Sequence, residues 1–343
     1  MHKFIGFVVG MFSIVGLACS AFAGGTPTLA ITETAVAASE TATQSAATPT
    51  GSAQATAVFP TPVPPTDAPT LPPPPPPVVP ESGQFVHYAS GANTSGHVTY
   101  IDNPITNGRP NATLLVTANW NPGGVGGIYN AHTVGVWYDN SEAKWAIFNQ
   151  DFADMPANAA FNVLVPAGGS SYFTHTAAPA NISGHVTEIN NASTNGRPNA
   201  SLLVTANWNP GGVGGTYNVP AVGVWYNGSQ RWTIFNQDFT AMPANAAFNV
   251  LVPSAGLASF VHTTTGGNTS GHVTYVDNAA SNNKPNALLF VTANWNPGGV
   301  GGTYNVPAVG VWYDNSEDKW AIFNQNFAAM PANAAFNVLV AGG

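Results

Sequence analysis

The chain has 343 residues, of which 44% are hydrophobic and only 6% are charged, with a formal net charge of −8. Globular chains usually carry about 25% charged residues, so neutral polar side chains must supply most of the solubility here. The single cysteine, Cys19, excludes an intrachain disulfide, and the seven Lys and Arg residues form no basic patch that would indicate a nucleic-acid partner.

Residues 1–23 predict an export signal. Lys3 precedes an apolar run from Phe4 to Leu17, and Ala21-Phe22-Ala23 is a cleavage site of the A-x-A type. The apolar run is shorter than the about 20 residues that a membrane-spanning helix needs. We therefore expect an extracellular or cell-surface protein with no transmembrane helix in the mature chain.

Cys19 leaves two interpretations open. The sequence Gly16-Leu17-Ala18-Cys19 resembles the bacterial lipoprotein cleavage box, which makes Cys19 a lipidation candidate. Gly16 departs from that box, which normally has a large aliphatic residue at this position. The alternative is that Cys19 is discarded with the signal peptide. Both predict a product outside the cytoplasm of a bacterium, either secreted or lipid-anchored.

Residues 24–84 are rich in Thr, Ala, Ser and Pro and contain few large apolar residues. Such a segment cannot bury enough apolar surface to offset the entropy lost on ordering. The proline run before residue 78 favours stiff polyproline II structure. We predict a disordered linker that acts as a spacer.

The remaining chain is an internal repeat of three units, which we place at 85–172, 173–259 and 260–343 and call units 1, 2 and 3. The twelve residues from Val116 recur verbatim from Val204 and again from Val291. A period of about 87 residues is too long for a solenoid turn and long enough for a small domain. We therefore expect three domains that fold separately rather than one closed ring.

Short alternating apolar runs bounded by turn residues predict strands in each unit. In unit 1 the pattern places strands at 85–88, 96–102, 113–120, 133–139, 144–150 and 159–165. The Pro-Gly-Gly-Val-Gly-Gly segment at 122–127 suits neither helix nor strand and predicts a loop. The predicted class is all-β, as three tandem small antiparallel β-sandwich-like domains after a disordered linker.

Four motifs resemble an uncharacterised bacterial domain that occurs as tandem repeats in secreted proteins. They are Phe-x-His at 85–87, Asn-Trp-Asn-Pro-Gly-Gly at 119–124, Gly-Val-Trp-Tyr at 135–138 and Trp-Ala-Ile-Phe-Asn-Gln at 145–150. The resemblance covers all three units and neither the signal nor the linker. It implies deployment outside the cell and brings no known activity, so it assigns no functional residue.

Comparison of the units argues against catalysis, because no carboxylate position is acidic in all three. Asp102 corresponds to Asn190, and Asp139 corresponds to Asn227. Glycoside hydrolysis normally needs two carboxylates, a Ser-His-Asp triad needs an acid, and calcium sites need several carboxylate oxygens. We expect no enzyme activity and no cofactor.

Each unit carries a matching pair of histidines. Two imidazoles bind zinc when a third ligand completes the site, and no cysteine or shared carboxylate is available for that purpose. We therefore expect no metal and assign these side chains hydrogen-bonded structural roles. The pairs are His87 and His97, His175 and His185, and His262 and His272.

The nine tryptophans lie in the units at three matching positions. Strand alternation places Trp120 on a face with Leu114 and Val116, which predicts a core position. The same rule turns Trp137 away from the valines of its strand, so it predicts outward exposure. Trp145 stays unassigned. The equivalents of the exposed position are Trp225 and Trp312.

An exposed indole beside amide side chains suits a neutral polar ligand such as a sugar, which has apolar C–H faces and paired hydroxyls. Three such sites on one chain would gain avidity on a polysaccharide or cell-surface glycan. We therefore predict a surface-tethered carbohydrate-binding or adhesion protein. The amides predicted to contact the ligand are Asn119, Asn207, Asn294, Asn121, Asn209, Asn296, Asn149, Asn236, Asn324, Gln150, Gln237 and Gln325.

Two alternatives stay open. Trp137 could pack under a loop while the asparagines only cap turns, which would leave no ligand site at these positions. The protein would then be a structural stalk, or a coat that self-associates through unpaired edge strands, with no small ligand.

Overall fold

The computed structural model describes residues 82–342, apart from residues 125, 167, 213 and 300. The predicted export signal, Cys19 and nearly all of the predicted linker lie outside the described residues. In this part of the chain, no helix is both long and apolar enough to cross a membrane.

Each unit contributes seven strands and one 3-10 turn. Unit 1 contains β1 (Gly83–Tyr88), β2 (Thr94–Ser95), β3 (Val98–Tyr100), β4 (Leu115–Asn119), β5 (Val134–Asp139), β6 (Lys144–Asn149) and β7 (Ala160–Val165). Unit 2 contains β8 (Ser171–Thr176), β9 (Ile182–Ser183), β10 (Val186–Glu188), β11 (Leu203–Asn207), β12 (Val222–Tyr226), β13 (Trp232–Asn236) and β14 (Ala247–Val252). Unit 3 contains β15 (Ala258–Thr263), β16 (Thr269–Ser270), β17 (Val273–Val276), β18 (Leu288–Asn294), β19 (Val309–Asp314), β20 (Lys319–Asn324) and β21 (Ala335–Ala341). The 3-10 turns are Pro122–Gly124, Pro210–Gly212 and Pro297–Gly299.

The predicted all-β class is confirmed, and one predicted strand is divided. The segment 96–102 contains only the three-residue strand β3, because a turn separates it from β2. Gly96 makes this turn with a φ of 54°, a left-handed conformation that an extended strand cannot contain. Apolar alternation alone does not reveal this break.

The strands form three seven-stranded sheets, and each sheet combines strands of two units. The orders are β1-β7-β4-β19-β20-β17-β16, β15-β21-β18-β12-β13-β10-β9 and β2-β3-β6-β5-β11-β14-β8. The two halves of each sheet meet in a parallel pair, namely β4 with β19, β12 with β18 and β5 with β11. The other pairs are antiparallel.

The expectation of three separately folding domains is therefore wrong. Unit 1 shares one sheet with unit 2 and another with unit 3, and units 2 and 3 share the third sheet, so the units form a closed cycle. All three belong to one compact body. Joining the half-sheets removes the unpaired edges that β4 and β5 would present in an isolated unit.

Each unit nevertheless keeps its own core between two layers, as in a small sandwich. In unit 1 the core strands β4 and β7 come from one sheet and β5 and β6 from another. Trp145, Phe161 and Ile147 are among its fully buried side chains. A unit is thus a sandwich of two sheets, and each of the two sheets extends into a different neighbouring unit.

A second apolar cluster joins the three units at their centre. It contains Leu115, Leu164, Leu203, Leu251, Phe290 and Leu339. Beside it runs a cycle of hydrogen bonds from backbone N–H groups to threonine hydroxyls of the next unit. The bonds are Val116 to Thr205 at 2.9 Å, Val204 to Thr292 at 2.9 Å and Val291 to Thr117 at 3.1 Å. The repeated contact gives the body approximate threefold symmetry.

Candidate functional site

An aromatic cleft, here cleft 1, lies where unit 1 meets unit 2. It has a volume of about 220 Å³ and is lined by His97, Val98, Trp137, Phe148, Trp208 and Tyr217. The ring centroids of Trp137 and Trp208 are 6.0 Å apart, and their planes are nearly perpendicular at 87°. Both indoles are half-buried. They form an open aromatic corner that neither unit could build alone.

Two glycines allow the walls of cleft 1 to approach each other. A Cβ on Gly135 would lie 2.7 Å from Cζ of Phe148, so only glycine lets this ring lie against β5 as the cleft floor. A Cβ on Gly215 would lie 1.1 Å from the carbonyl oxygen of Trp208. The glycine-rich loop therefore folds back onto Trp208 and brings the Tyr217 ring to 5.7 Å from it.

The same rings recur at the other two unit boundaries. Cleft 2 combines Trp225 and Phe235 of unit 2 with Trp295 and Tyr304 of unit 3. Cleft 3 combines Trp312 and Phe323 of unit 3 with Trp120 and Tyr129 of unit 1. The centroids of the paired indoles are 5.6 Å apart in cleft 2 and 6.0 Å apart in cleft 3.

An exposed phenylalanine stands at the rim of each cleft. The Phe152 ring lies 4.5 Å from Tyr217 and 5.1 Å from His97, and the residue is 56% exposed. Its φ is 64°, a region that bulky L-residues rarely adopt. Phe239 and Phe327 have φ values of 65° and 63° and are similarly exposed. Neither burial nor backbone preference explains a phenylalanine at this position.

A carboxylate lies on the same sheet face as Trp137, outside the lining of cleft 1. Asp139 lies two residues after Trp137, and its Oδ2 accepts a hydrogen bond from the Tyr100 hydroxyl at 3.2 Å. The Tyr100 ring is 6.5 Å from Trp137. Partial burial raises the pKa of Asp139, but hydrogen bonds from Ser141 and Tyr100 outweigh it and hold the pKa below its ordinary value. The group is therefore ionised at neutral pH.

Indole N–H groups are less available than indole faces in these clefts. The Nε1 atoms of Trp120, Trp208 and Trp295 are buried and have no hydrogen-bond partner within the described residues. In cleft 1 a ligand therefore meets chiefly aromatic faces, together with the His97 imidazole and the Tyr217 phenol.

The tryptophans at the three matching positions of each unit lie in different environments. Trp137, Trp225 and Trp312 are half-buried, so they contact the clefts without projecting freely. Trp120 was predicted in the core and instead forms a wall of cleft 3, because β4 ends at Asn119 and strand alternation stops applying. The unassigned Trp145 is fully buried, and its Nε1 donates to the Arg109 carbonyl oxygen at 2.9 Å.

The structure does not place the twelve amides predicted to contact the ligand on an open surface, because all twelve are buried. Their exposed fractions run from 0% to 6%. The residues are Asn119, Asn207, Asn294, Asn121, Asn209, Asn296, Asn149, Asn236, Asn324, Gln150, Gln237 and Gln325. Unpaired amides are costly to bury, so most of these groups bond within the fold, many of them across unit boundaries.

Two of these amide positions show the arrangement. Asn209 Nδ2 donates to the Tyr138 carbonyl oxygen at 2.9 Å, and the Tyr138 N–H donates to Asn209 Oδ1 at 2.9 Å. Gln150 Oε1 accepts from the N–H of Asn218 at 3.3 Å. Both contacts join unit 1 to unit 2 beneath cleft 1. The amides thus hold the cleft walls together rather than facing a ligand.

The two histidines of each unit also differ in their surroundings. His87 Nε2 lies 2.9 Å from Thr99 Oγ1, and burial lowers the pKa of His87 to about 4. The hydrogen-bonded structural role predicted for this class is confirmed, with equivalent contacts at His175 and His262. His97 instead lines cleft 1, so its structural assignment does not hold. No group of three or more His, Cys, Asp or Glu side chains in the described ranges could hold a metal ion.

The fold and the clefts define an all-β tandem-repeat protein whose units share their sheets in a closed cycle. A family model described as Domain of unknown function (DUF7452) matches residues 78–165, 135–252 and 228–340. The chain belongs to this family, which confirms the resemblance to an uncharacterised tandem-repeat domain. No curated protein matches the chain.

Proposed function

We propose that the protein is a non-catalytic, surface-tethered, multivalent carbohydrate binder that uses the three aromatic clefts. The single observation that carries the proposal is the half-buried indole pair of Trp137 and Trp208, whose counterparts lie 5.6 Å and 6.0 Å apart at the other two unit boundaries. Sugar rings present apolar C–H faces, and indole is the largest flat apolar surface that a protein offers them. A concave aromatic site with a few polar groups is also a typical small-ligand site.

The rim phenylalanines support a binding role for the clefts. Holding Phe152 at a φ of 64° costs on the order of 1–3 kcal/mol, and its exposed ring recovers little by burial. Backbone strain of this kind concentrates at functional sites. Contact between the ring and a bound ligand accounts for an aromatic residue at this position in all three units.

The pairing of the first and last described strands supports a role in which the clefts face away from the point where the described chain enters the fold. Gln84 and Leu115 both pair with Leu164, so the described chain enters beside the start of β4. Leu288 pairs with Ala341, so it leaves beside the start of β18. Trp120 follows the opposite end of β4 and Trp295 follows the opposite end of β18, about 17 Å and about 23 Å from the starts of these strands at about 3.3 Å per residue.

Three clefts on one body also suit a repetitive target. When one cleft is occupied, the others meet neighbouring ligand groups at a high effective concentration, which raises affinity without new contacts. A polysaccharide or a glycan-covered cell surface is repetitive in this way. The proposed location outside the cell, with the part of the predicted linker that precedes β1 as a spacer, belongs to the same proposal.

The test is a titration of tryptophan fluorescence with soluble polysaccharides. We expect a saturable change for the native chain and none for the variant Trp137→Ala/Trp225→Ala/Trp312→Ala. Tyr88→Ala is the control, because Tyr88 is 49% exposed and lies outside the clefts. Circular dichroism verifies that each variant is folded. An equal response of the cleft variant and the control would refute the proposal.

A second candidate function is self-association into a surface coat. The observation in its favour is that β1, β8 and β15 are six-residue edge strands of the three sheets. Such edges can pair with another copy of the chain. Light scattering that rises steeply with protein concentration would support this function, whereas a flat response favours the binding protein.

A further inference from the structure

We infer that the body binds one short N-acyl group, such as the methyl and amide of an acetamido group, in a cavity on its approximate threefold axis. This axial cavity is separate from the clefts, because none of the residues that line it contributes a ring to a cleft. It is a single site, whereas the clefts occur at every unit boundary. The inference therefore does not depend on the proposed function.

The axial cavity has a volume of about 110 Å³, and all three units contribute to its lining. A water molecule needs about 10–15 Å³, and an engineered apolar cavity of about 150 Å³ binds benzene. The axial cavity thus has room for a group of a few non-hydrogen atoms. Its wall is largely apolar and contains two sets of matching valines. They are Val116, Val204 and Val291, and Val134, Val222 and Val309.

The cavity is open to solvent at one end. The three wall valines that belong to β4, β11 and β18 are only 8–9% exposed. Those that begin β5, β12 and β19 are half-buried, so the mouth lies beside the first residues of these strands. A group attached to a larger molecule can enter here while the rest of that molecule stays outside.

One side of the cavity carries a hydrogen-bond acceptor without a partner. Asn218 lines the cavity, is 2% exposed, and its Oδ1 has no hydrogen-bond partner within the described residues. Neighbouring groups fix the orientation of this amide. Asn236 Nδ2 donates to the Thr240 carbonyl oxygen at 2.9 Å, so Asn236 presents its Oδ1 to Asn218 Nδ2 at 2.8 Å. The unpartnered atom of Asn218 is therefore the oxygen.

A buried acceptor without a partner destabilises a fold, so this oxygen favours a ligand that brings a donor. The matching oxygens of Asn130 and Asn305 also lack partners, and Asn218 is the one of the three that lines the cavity. A single N–H group from the ligand would complete its hydrogen bonding.

A second amide at the wall supplies the opposite group. Gln325 lines the cavity, and its Oε1 accepts the backbone N–H of Asn130 at 2.9 Å. Because a backbone N–H can only donate, this bond assigns the oxygen of Gln325 and leaves Nε2 as the atom that can donate to a ligand. The cavity therefore combines an acceptor, a donor and methyl groups.

A secondary amide with a methyl group matches all three features. Its N–H can donate to Asn218 Oδ1, its carbonyl oxygen can accept from Gln325 Nε2, and its methyl group can pack against the valines. The ligand group should also be uncharged, because His132 is the ionisable residue of the lining. His132 is half-buried, and its Nδ1 lies 2.6 Å from Asp151 Oδ2. Units 2 and 3 have Pro220 and Pro307 at this position.

The test titrates the full chain with N-methylacetamide and with methyl acetate, which has the same shape and lacks the N–H donor. NMR shifts of the valine methyl groups measure the affinity and the number of sites. We expect saturable shifts that fit one site per chain. N-methylacetamide should bind at least tenfold more tightly than methyl acetate, because the ester leaves Asn218 Oδ1 unpaired.

A filling variant locates the bound probe. Ala308 lines the cavity and is half-buried, so Ala308→Leu should occupy the space and abolish the saturable shifts. The control Ala131→Leu adds the same atoms at an exposed position outside the lining and should bind like the native chain. Circular dichroism verifies that both variants are folded. The comparison of the two probes on the native chain stays decisive if the filling variant does not fold.

Three results would overturn the inference. Methyl acetate that binds as tightly as N-methylacetamide would show apolar space without amide recognition. The absence of saturable shifts would mean that the cavity holds water only. A folded Ala308→Leu variant with native affinity would place the probe elsewhere. None of these results bears on the clefts, whose own test is the tryptophan titration.

Discussion

Asn121 and Tyr313 are 192 residues apart in the chain and exchange two hydrogen bonds. Asn121 Nδ2 donates to the Tyr313 carbonyl oxygen at 2.9 Å, and the Tyr313 N–H donates to Asn121 Oδ1 at 2.9 Å. The amide side chain thus takes the place of a peptide group where β4 meets β19. This pair of hydrogen bonds joins the first unit to the third and helps to close the cycle.

Replacing Asn121 by alanine should therefore destabilise the whole body. The change removes two hydrogen bonds and leaves buried backbone groups of Tyr313 unpaired, which should lower the free energy of unfolding by about 2–4 kcal/mol. Chemical denaturation measures the effect. The exposed Asn111→Ala is the matched control and should change stability by less than about 0.5 kcal/mol. Equal midpoints for the two variants would show that Asn121 does not hold the units together.

Removal of unit 3 tests the closed cycle directly. A chain ending at residue 257 loses β18 and β19, which leaves β12 and β4 as unpaired edges of incomplete sheets. We expect this truncated protein to aggregate or to pair with other copies, because open edges associate. Size-exclusion chromatography and circular dichroism provide the measurement. A soluble monomer with two-thirds of the native β signal would instead support independently folded domains.

Stability should fall between about pH 6.5 and pH 4 because of three buried histidines. Burial lowers the pKa of His87, His175 and His262 from 6.5 to about 4. In this window the unfolded chain binds more protons than the folded chain, so the free energy of unfolding decreases as the pH decreases. Each histidine contributes on the order of 3 kcal/mol across the window.

Denaturation curves at several pH values measure this loss of stability. The variant His87→Gln/His175→Gln/His262→Gln lacks these groups and should show a flatter profile between pH 6.5 and pH 4. Carboxylates such as Asp102, whose pKa is lowered chiefly by hydrogen bonding to Lys144, affect stability only below about pH 5, at the acidic end of this window. A native profile that is flat from pH 7 to pH 4 would contradict the assignment.

The rim phenylalanines should be important for binding and unimportant for stability. Asparagine tolerates positive φ better than phenylalanine, so Phe152→Asn/Phe239→Asn/Phe327→Asn should unfold at the same temperature as the native chain or slightly above it. Polysaccharide affinity should fall at least severalfold, because each cleft loses the aromatic ring at its rim. Thermal denaturation and fluorescence titration measure the two effects. Loss of stability with unchanged affinity would assign these rings to the fold.

The candidate site was only partly predictable from the sequence. Strand alternation separated Trp137 from the valines of β5, and the structure places it in a cleft. The alternation rule failed for Trp120, which follows the end of its strand, and gave no signal for Phe152. The exposure of Phe152 and its positive φ are both properties of the folded chain.

The burial of the amides was not predictable, because the sequence does not tell a buried amide from an exposed one. Asn119 and Asn121 recur in all units, as ligand-binding residues would, yet Asn119 bonds to Asn162 within its unit and Asn121 bonds to Tyr313 across a unit boundary.

By itself the sequence determined the all-β class, the number of units and most of the segments that form strands or turns. These features depend on local periodicity and on the positions of glycine and proline. Only the tertiary structure decided which unit each strand pairs with. The three copies of a strand are nearly identical, so pairing within a unit and pairing with a neighbour look the same in sequence. The clefts exist only at the boundaries that this choice creates, and no unit contains one alone.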